Sequence, residues 1–472
     1  MRDTRRRPTL RQATLLWILL AWLGMNFMGL ARAGQPETFE HTLANGLKVI
    51  VKPDRRAPVV VSQLWYRAGS MDESYGTTGV AHVLEHMMFK GTATVPEGEF
   101  SRRIAAAGGR ENAFTSRDVT VYHQTLQASR LALALELEAD RMVNLILSPE
   151  AFAKEIQVVR EERRLRTEDN PQALLFEALM AAAYQTHPYR HPVIGWMDDL
   201  EHMRVEDARA WYERWYAPNN ALLVVVGDVE PAAVFALAER HFGAIPARPL
   251  PPRRPLAEVT PRGMRTVTVK APARLPAAYL AWHVPRLQDP VADWEPYALE
   301  VLEGVLDGHA SARLPRALVR EQQVAVGVGA GYDPVARGPA LFFVSLTAAE
   351  GKPLDEAVAA LRREIERVQN EGVSRDELER VKAQVLAAQV FQQDSLFFQA
   401  REIGQWESAG LDHRARKLLF ERLREVTPDQ VQAVARRYLV DDRLTLARLE
   451  PLPVEAGMAR PASRFMGDRH AR

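Results

Sequence analysis

Cysteine is absent from all 472 residues. That absence excludes disulfides, a thiolate nucleophile or metal ligand and a lipid-bearing N-terminal cysteine. Any metal site must therefore be built from imidazoles and carboxylates. An excess of one charge is also missing. Lys and Arg number 61 against 60 Asp and Glu, so nothing in the charge balance calls for nucleic acid or an anionic membrane as partner. Gly-x-Ser-x-Gly does not occur, which removes one nucleophile signature. Histidine is scarce, at 12 residues, so a place where two stand close together is informative. Hydrophobic content of 47% and charge of 26% are ordinary for a globular protein. The length suits two or more domains, each with its own core.

The N-terminus reads as a secretory leader over residues 1–33. Arg5, Arg6 and Arg7 form a positive start, Ala13 to Leu30 is uncharged and apolar, and Ala31-Arg32-Ala33 is a small-x-small cleavage site. Export to the periplasm follows, with an uncleaved N-terminal anchor as the alternative because the apolar run just reaches spanning length. Gly24, Asn26 and Gly29 weaken that alternative. An exported chain without disulfides depends on core burial for its stability.

Between Ile245 and Arg262 stand Pro246, Pro249, Pro251, Pro252, Pro255 and Pro261. Such density resists helix and sheet interiors, so 246–262 is expected to link two halves, 34–245 and 263–455, with a loose tail over 456–472. The halves carry an echo. Val51-Lys52, Arg56 and Pro58 recur at one offset as Val269-Lys270, Arg274 and Pro276, each set preceding a strand-like run, Val59–Tyr66 and Ala277–Val284. We read this as duplication. Within the first half, Asn45-Gly46 predicts a hairpin between Phe39–Leu43 and Leu47–Val51. Val119–Leu126 alternates like a strand, and Leu131–Leu147 is helical. Ser148-Pro149-Glu150 opens a further helix that ends before Asn170-Pro171. Interspersed strands and helices give an α+β fold class.

The chemistry concentrates in Gly79-Val80-Ala81-His82-Val83-Leu84-Glu85-His86-Met87-Met88. Chance predicts only about 0.02 occurrences of His-x-x-Glu-His at this composition. On a helix, His82 and His86 lie on one face and can share a metal ion, while Glu85 can reach a metal-bound water as general base. The neighbours are apolar nearly all round, as in a buried helix, and ionisable groups there need partners. A third ligand is required for a catalytic zinc. Glu155 and Glu162, two turns apart on a second helix beside Glu161, are candidates. Spacing alone does not single out Glu162.

The run His82–Thr92 closely resembles the active-site helix of the pitrilysin/insulinase family of zinc peptidases, which includes the mitochondrial processing peptidase and its bacterial relatives. Leu43–Leu47, Asn112–Arg117, Glu155–Glu162, His187-Pro188-Tyr189 and Ile194-Gly195 are similar to other landmarks of that family. The resemblance implies Glu162 as third ligand of one zinc ion per chain, and Glu155 as support behind the ligands. It implies two similar α+β halves, each an antiparallel sheet packed with helices, enclosing a chamber in a two-chain assembly. That assembly is a homodimer, or a heterodimer with a zinc-less family subunit. Peptide substrates are expected to add as a strand at Asn112, Ala113, Phe114 and Thr115. The expected function is hydrolysis of extended or unfolded peptides in the cell envelope. The alternative is a non-catalytic or partner-dependent subunit. One departure stands out. Many bacterial relatives carry an Arg and, seven residues on, a Tyr that assist substrate. Arg320 fits the first place, but Gly327 stands at the second.

Overall fold

The computed structural model describes residues 38–253 and 255–453. The expected leader and the expected tail lie outside the described residues. In the first half the elements run β1 (Phe39–Thr42), β2 (Lys48–Pro53), β3 (Val59–Tyr66), α1 (Val80–Met87), α2 (Glu99–Ala106), β4 (Arg110–Thr115), β5 (Thr120–Gln127), α3 (Leu131–Asn144), α4 (Pro149–Arg163), α5 (Pro171–Ala183), α6 (Met197–His202), α7 (Val205–Trp215), β6 (Ala221–Gly227) and α8 (Pro231–Phe242). The second half follows as β7 (Arg265–Pro272), β8 (Ala277–Val284), α9 (Glu295–Asp307), β9 (Ala325–Tyr332), β10 (Ala340–Ala348), α10 (Leu354–Glu371), α11 (Arg375–Gln392), α12 (Leu396–Ser408), α13 (Lys417–Glu425), α14 (Pro428–Tyr438) and β11 (Leu444–Leu452). No described residue between Phe242 and Arg265 belongs to a helix or strand.

Two sheets result, ordered β1-β2-β6-β3-β5-β4 and β7-β11-β8-β10-β9. Apart from β1 they correspond strand for strand, and the two runs picked out by the sequence echo are β3 and β8 with the same boundaries. Gly46, at φ 88°, makes the β1–β2 turn, and Asn45 anchors it by donating to the carbonyls of Phe242 (2.7 Å) and Ile245 (2.9 Å). The sheets are not wholly antiparallel. β2 pairs with β6, and β7 with β11, in parallel. In each half the last strand returns from beyond the helices, a crossover long enough to arrive in the parallel sense.

Both faces of these sheets are covered, which is why β3, β6 and β8 read as near-continuous apolar runs. One face carries the half's own helices. The other receives a helix from the opposite half. Ala400 and Ile403 of α12 pack against Val61, Trp65, Val121 and Val224 of the first sheet. Leu175 and Leu179 of α5 pack against Ala277, Tyr279, Ala447 and Leu449 of the second. At Gly404 a Cβ would stand 2.0 Å from the Trp65 ring, so only glycine lets α12 approach so closely. The exchange ties the halves into one body. Among the described residues no helix is long and apolar enough to cross a membrane.

Candidate metal centre

The helix α1 is fixed at its start before its side chains matter. Gly79 precedes it at φ 89°, where a Cβ would strike Ile194 O and Gly195; Gly195, also at φ 89°, would strike Thr78 O. The two glycines therefore meet backbone to backbone. Glu73 accepts from Gly79 N (2.8 Å) and Ala81 N (2.9 Å), satisfying amides that the first turn leaves open. Thr78 N donates to Asp199 (3.0 Å). Val80, Ala81, Val83, Leu84 and Met87 bury themselves in the first-half core. That leaves His82, Glu85 and His86 on the remaining face.

Opposite lies α4. Its Ser148 cap accepts from Ala151 N and Pro149 fills the first turn. Phe152, Ile156 and Val159 are buried, which turns Glu155 and Glu162 toward α1. The structure brings His82, His86 and Glu162 together, with one ligand atom of each within 4.8 Å of the others. Glu162 Oε2 lies 3.7 Å from His82 Nε2 and 3.4 Å from His86 Nε2. Ligand atoms around a tetrahedral zinc, with bonds of about 2.0–2.1 Å, stand about 3.3 Å apart.

The donor set fits such an ion on further grounds. Glu162 Oε2 is buried with no hydrogen-bond partner, while Oε1 is held by Arg166 at 2.6 Å. Burial raises the pKa of Glu162, but His86, His82 and Arg166 outweigh it and bring it to about 2, so the carboxylate is ionised. Burial lowers His82 to about 4, which keeps that imidazole neutral as a ligand must be. For His86 burial lowers the pKa, yet Glu155 and Glu162 raise it to about 9. It sits in a negative pocket that a cation would neutralise. Glu155 Oε1 bonds His86 Nδ1 at 2.8 Å and Oε2 takes Lys90 Nζ at 2.6 Å. That fixes the ring with Nε2 toward Glu162.

Glu85 stands beside this set. Burial raises its pKa to about 7, against a hydrogen bond from Thr115 Oγ1. Thr115 ends β4, the edge strand of its sheet, which pairs with β5 alone. Along β4 the side chains alternate. Ala113 packs on the core under α1, and Phe114 packs on the opposite face, edge-on to Trp65 at 6.0 Å. Asn112 Oδ1 accepts from Ala113 N at 2.9 Å.

Arg320 is not brought to this group. It is exposed, in a recess of the second half lined also by His309, Arg313, Arg316, Glu377 and Arg380. Gly327 lies on the edge strand β9, with nothing within 4 Å of where a Cβ would be. Tyr332 is no substitute, since it is buried and donates to Pro285 O at 2.6 Å. Sequence reading missed Glu73, Lys90 and Arg166. Lys90 follows His86 by one turn, a readable signal. Glu73 works across a loop, which no periodicity reports.

Two family models match the chain. Residues 48–195 match the model described as insulinase (peptidase family M16), and residues 202–385 the one described as peptidase M16 inactive domain. The zinc protease PqqE of Helicobacter pylori is 34% identical over 302 residues, 62% of this chain and 66% of that protein. The uncharacterized zinc protease ML0855 of Mycobacterium leprae is 29% identical over 422 residues, 87% of this chain and 91% of that protein. The crystal structure of a protease from Helicobacter pylori matches with a TM-score of 0.84 and 28% identity, covering 88% of this chain and all of that one (100%).

Proposed function

From a chain that belongs to the insulinase family of peptidases, M16, we propose a zinc-dependent endopeptidase that hydrolyses extended peptides or unfolded segments in the cell envelope. The observation that carries the reading is Glu162 Oε2, buried and without a hydrogen bond, facing two imidazole nitrogens. His82, His86 and Glu162 would hold one zinc ion, which supplies Lewis acidity and makes water easier to deprotonate. Glu85 takes the proton of the attacking water and passes it to the leaving amine, a role that suits a carboxyl whose pKa lies near neutrality. Thr115 holds Glu85 Oε2, leaving Oε1 for the proton. Glu155 and Lys90 keep the His86 ring in place. The free edge of β4, with Asn112, Ala113, Phe114 and Thr115, takes the substrate as an added strand, so affinity comes from main-chain hydrogen bonds.

The zinc-bearing unit is 34–245, the linker 246–262 and the metal-free unit 263–455. Residues 1–33 direct export. Arg320 has no part in the zinc group of a single chain. With Gly327 beside it, the reading favours a two-chain assembly, homodimeric or completed by a zinc-less subunit that supplies the missing tyrosine. The purified chain is tested by metal analysis together with a chelator-sensitive assay on unfolded peptide. One zinc per chain and chelator-sensitive cleavage are expected. Stoichiometric zinc with no cleavage would overturn the lone-enzyme reading in favour of a partner-dependent subunit, and full activity of the lone chain would reject the need for a partner.

A further inference from the structure

We propose that Arg337, from the second half, is a positioning residue for the first half's catalytic face: it clamps the β4–β5 turn to the segment that leads into α1. This role rests on the peptidase reading above, but the clamp itself does not.

Arg337 lies in the connection between β9 and β10 and reaches across to the other half. Its Nη1 and Nη2 grip Asp72 at 2.8 and 3.0 Å in a two-pronged pair. Nη1 also donates to Asp118 O at 2.6 Å, and the Arg337 backbone N to Asp118 Oδ2 at 2.9 Å. Both charged side chains are largely covered, at 11% and 9% exposure, so the pair acts with little screening. Tyr189 closes the arrangement. Its hydroxyl donates to Asp118 Oδ1 and accepts from Gly338 N at 2.8 Å. A Cβ at Gly338 would lie 2.5 Å from His187 and 2.6 Å from Tyr189, so the Arg337-Gly338 step is shaped to enter the first half.

What it grips is what the reaction needs. Asp72 is followed by Glu73, whose carboxylate caps the start of α1. Asp118 lies in the turn that follows Thr115, and Thr115 holds Glu85. The two gripped segments also touch directly, through Ser70 N to Ser116 O (3.1 Å) and Met71 N to Arg117 O (2.9 Å). Arg337 thus spans the helix that bears the histidines and the edge strand offered to the peptide. It touches neither zinc ligand nor substrate strand, so it acts through Asp72 and Asp118. No other charged side chain within hydrogen-bonding distance from the second half joins these two segments among the described contacts. The second half contributes to the site by holding its geometry.

Removing only the arginine would leave Asp72 buried and unpaired and could unfold the protein, so the test uses R337K and the charge-balanced pair R337M/D72N. Full-length protein is followed by hydrogen exchange at residues 110–119, by zinc content and by cleavage of an extended peptide. Lysine cannot make the two-pronged grip. The clamp predicts exchange in 110–119 at least about tenfold faster in R337M/D72N, with zinc retained and exchange in α12 unchanged. It predicts KM raised about tenfold with kcat changed less, because strand addition suffers more than the chemistry, with R337K intermediate. Unchanged exchange at 110–119 would overturn the clamp. A uniform rise in exchange that includes α12 would also overturn it, by showing a merely structural contact. If the wild type cleaves no peptide, the peptidase reading fails while the exchange result still decides the clamp.

Discussion

The two halves share a topology and treat the same helix pair oppositely. β3 begins at Val59 and β8 at Ala277, 218 positions later. At that offset His82 corresponds to Glu300, Glu85 to Glu303 and His86 to Gly304. Ser148 caps α4 and Ser374 caps α11, 226 positions later, which pairs Glu155 with Val381 and Glu162 with Ala388. In the first half His86 meets Glu155 through a charge-assisted hydrogen bond of 2.8 Å. In the second half, a Cβ on Gly304 would stand 2.7 Å from Val381 Cγ1. One pair of helices meets through polar side chains, with His82, His86 and Glu162 brought together between them. The other is drawn together over a glycine. The difference teaches that the candidate site depends on how closely the two helices pack as much as on which side chains they carry, since a close-packed contact has no room for an ion.

The electrostatics diverge with the packing. Glu162 is held down to about 2, where two histidines and an arginine outweigh burial. Glu300 and Glu303 have no such partners. Burial raises Glu300 to about 7 and Glu303 to about 8, with neighbouring carboxylates adding to both. The matched pair Glu85 and Glu303 is raised in both halves, to about 7 and about 8, whereas the ionised Glu162 has only Ala388 at its counterpart position.

The comparison breaks most visibly at Glu85. Glu85→Gln is expected to lower kcat by about 10²–10⁴-fold with zinc content unchanged, measured by peptide cleavage and metal analysis. The same substitution at its counterpart, Glu303→Gln, should leave cleavage near wild type, and a comparable loss there would contradict the division of labour. Next in size, Glu155→Gln should weaken zinc binding by about 10–100-fold without abolishing it, read by competition with a chelator. An unaltered affinity would show that the Glu155–His86 bond does not orient the ligand.

Gly304→Ala tests the closed helix pair. It should cost about 1–3 kcal/mol of stability by overpacking against Val381, seen in thermal or denaturant unfolding, while zinc content stays at the wild-type value. The smallest effect is a pH dependence. A carboxyl whose folded pKa of about 8 exceeds its ordinary value of 4.5 binds its proton more tightly when folded. Its contribution is most favourable below about pH 4.5 and is lost as pH rises through about 8. Glu303 is only partly covered, so Glu303→Gln should stabilise the protein by about 1 kcal/mol at pH 8.5 relative to wild type, and the gain should vanish near pH 4.5. A gain that grows on acidification would reverse the sign and refute the assignment.

Much of this was legible in the residues. The duplication showed in the echo around Val51 and Val269, and the boundaries of β3 and β8 followed from apolar, strand-like runs. His82, Glu85 and His86 were readable because helical spacing places side chains four apart on one face. Contacts that cross long sequence distances were not. Arg337 and Asp72 are 265 residues apart, and nothing in periodicity joins them. The parallel pairs β2–β6 and β7–β11 likewise depend on where a returning strand docks.

Local chemistry, by itself, determined that one helix carries two histidines and a glutamate on a single face, that cysteine takes no part there and that the chain is double. Tertiary structure alone decided that Glu162 Oε2 stands free between the two imidazoles, that each half covers the other's sheet with a helix, and that the second half's counterpart helix closes over glycine. The physical reason is range. Helical spacing and turn chemistry act over a few residues, whereas burial, unpaired atoms and the gap between two helices exist only once distant segments have packed.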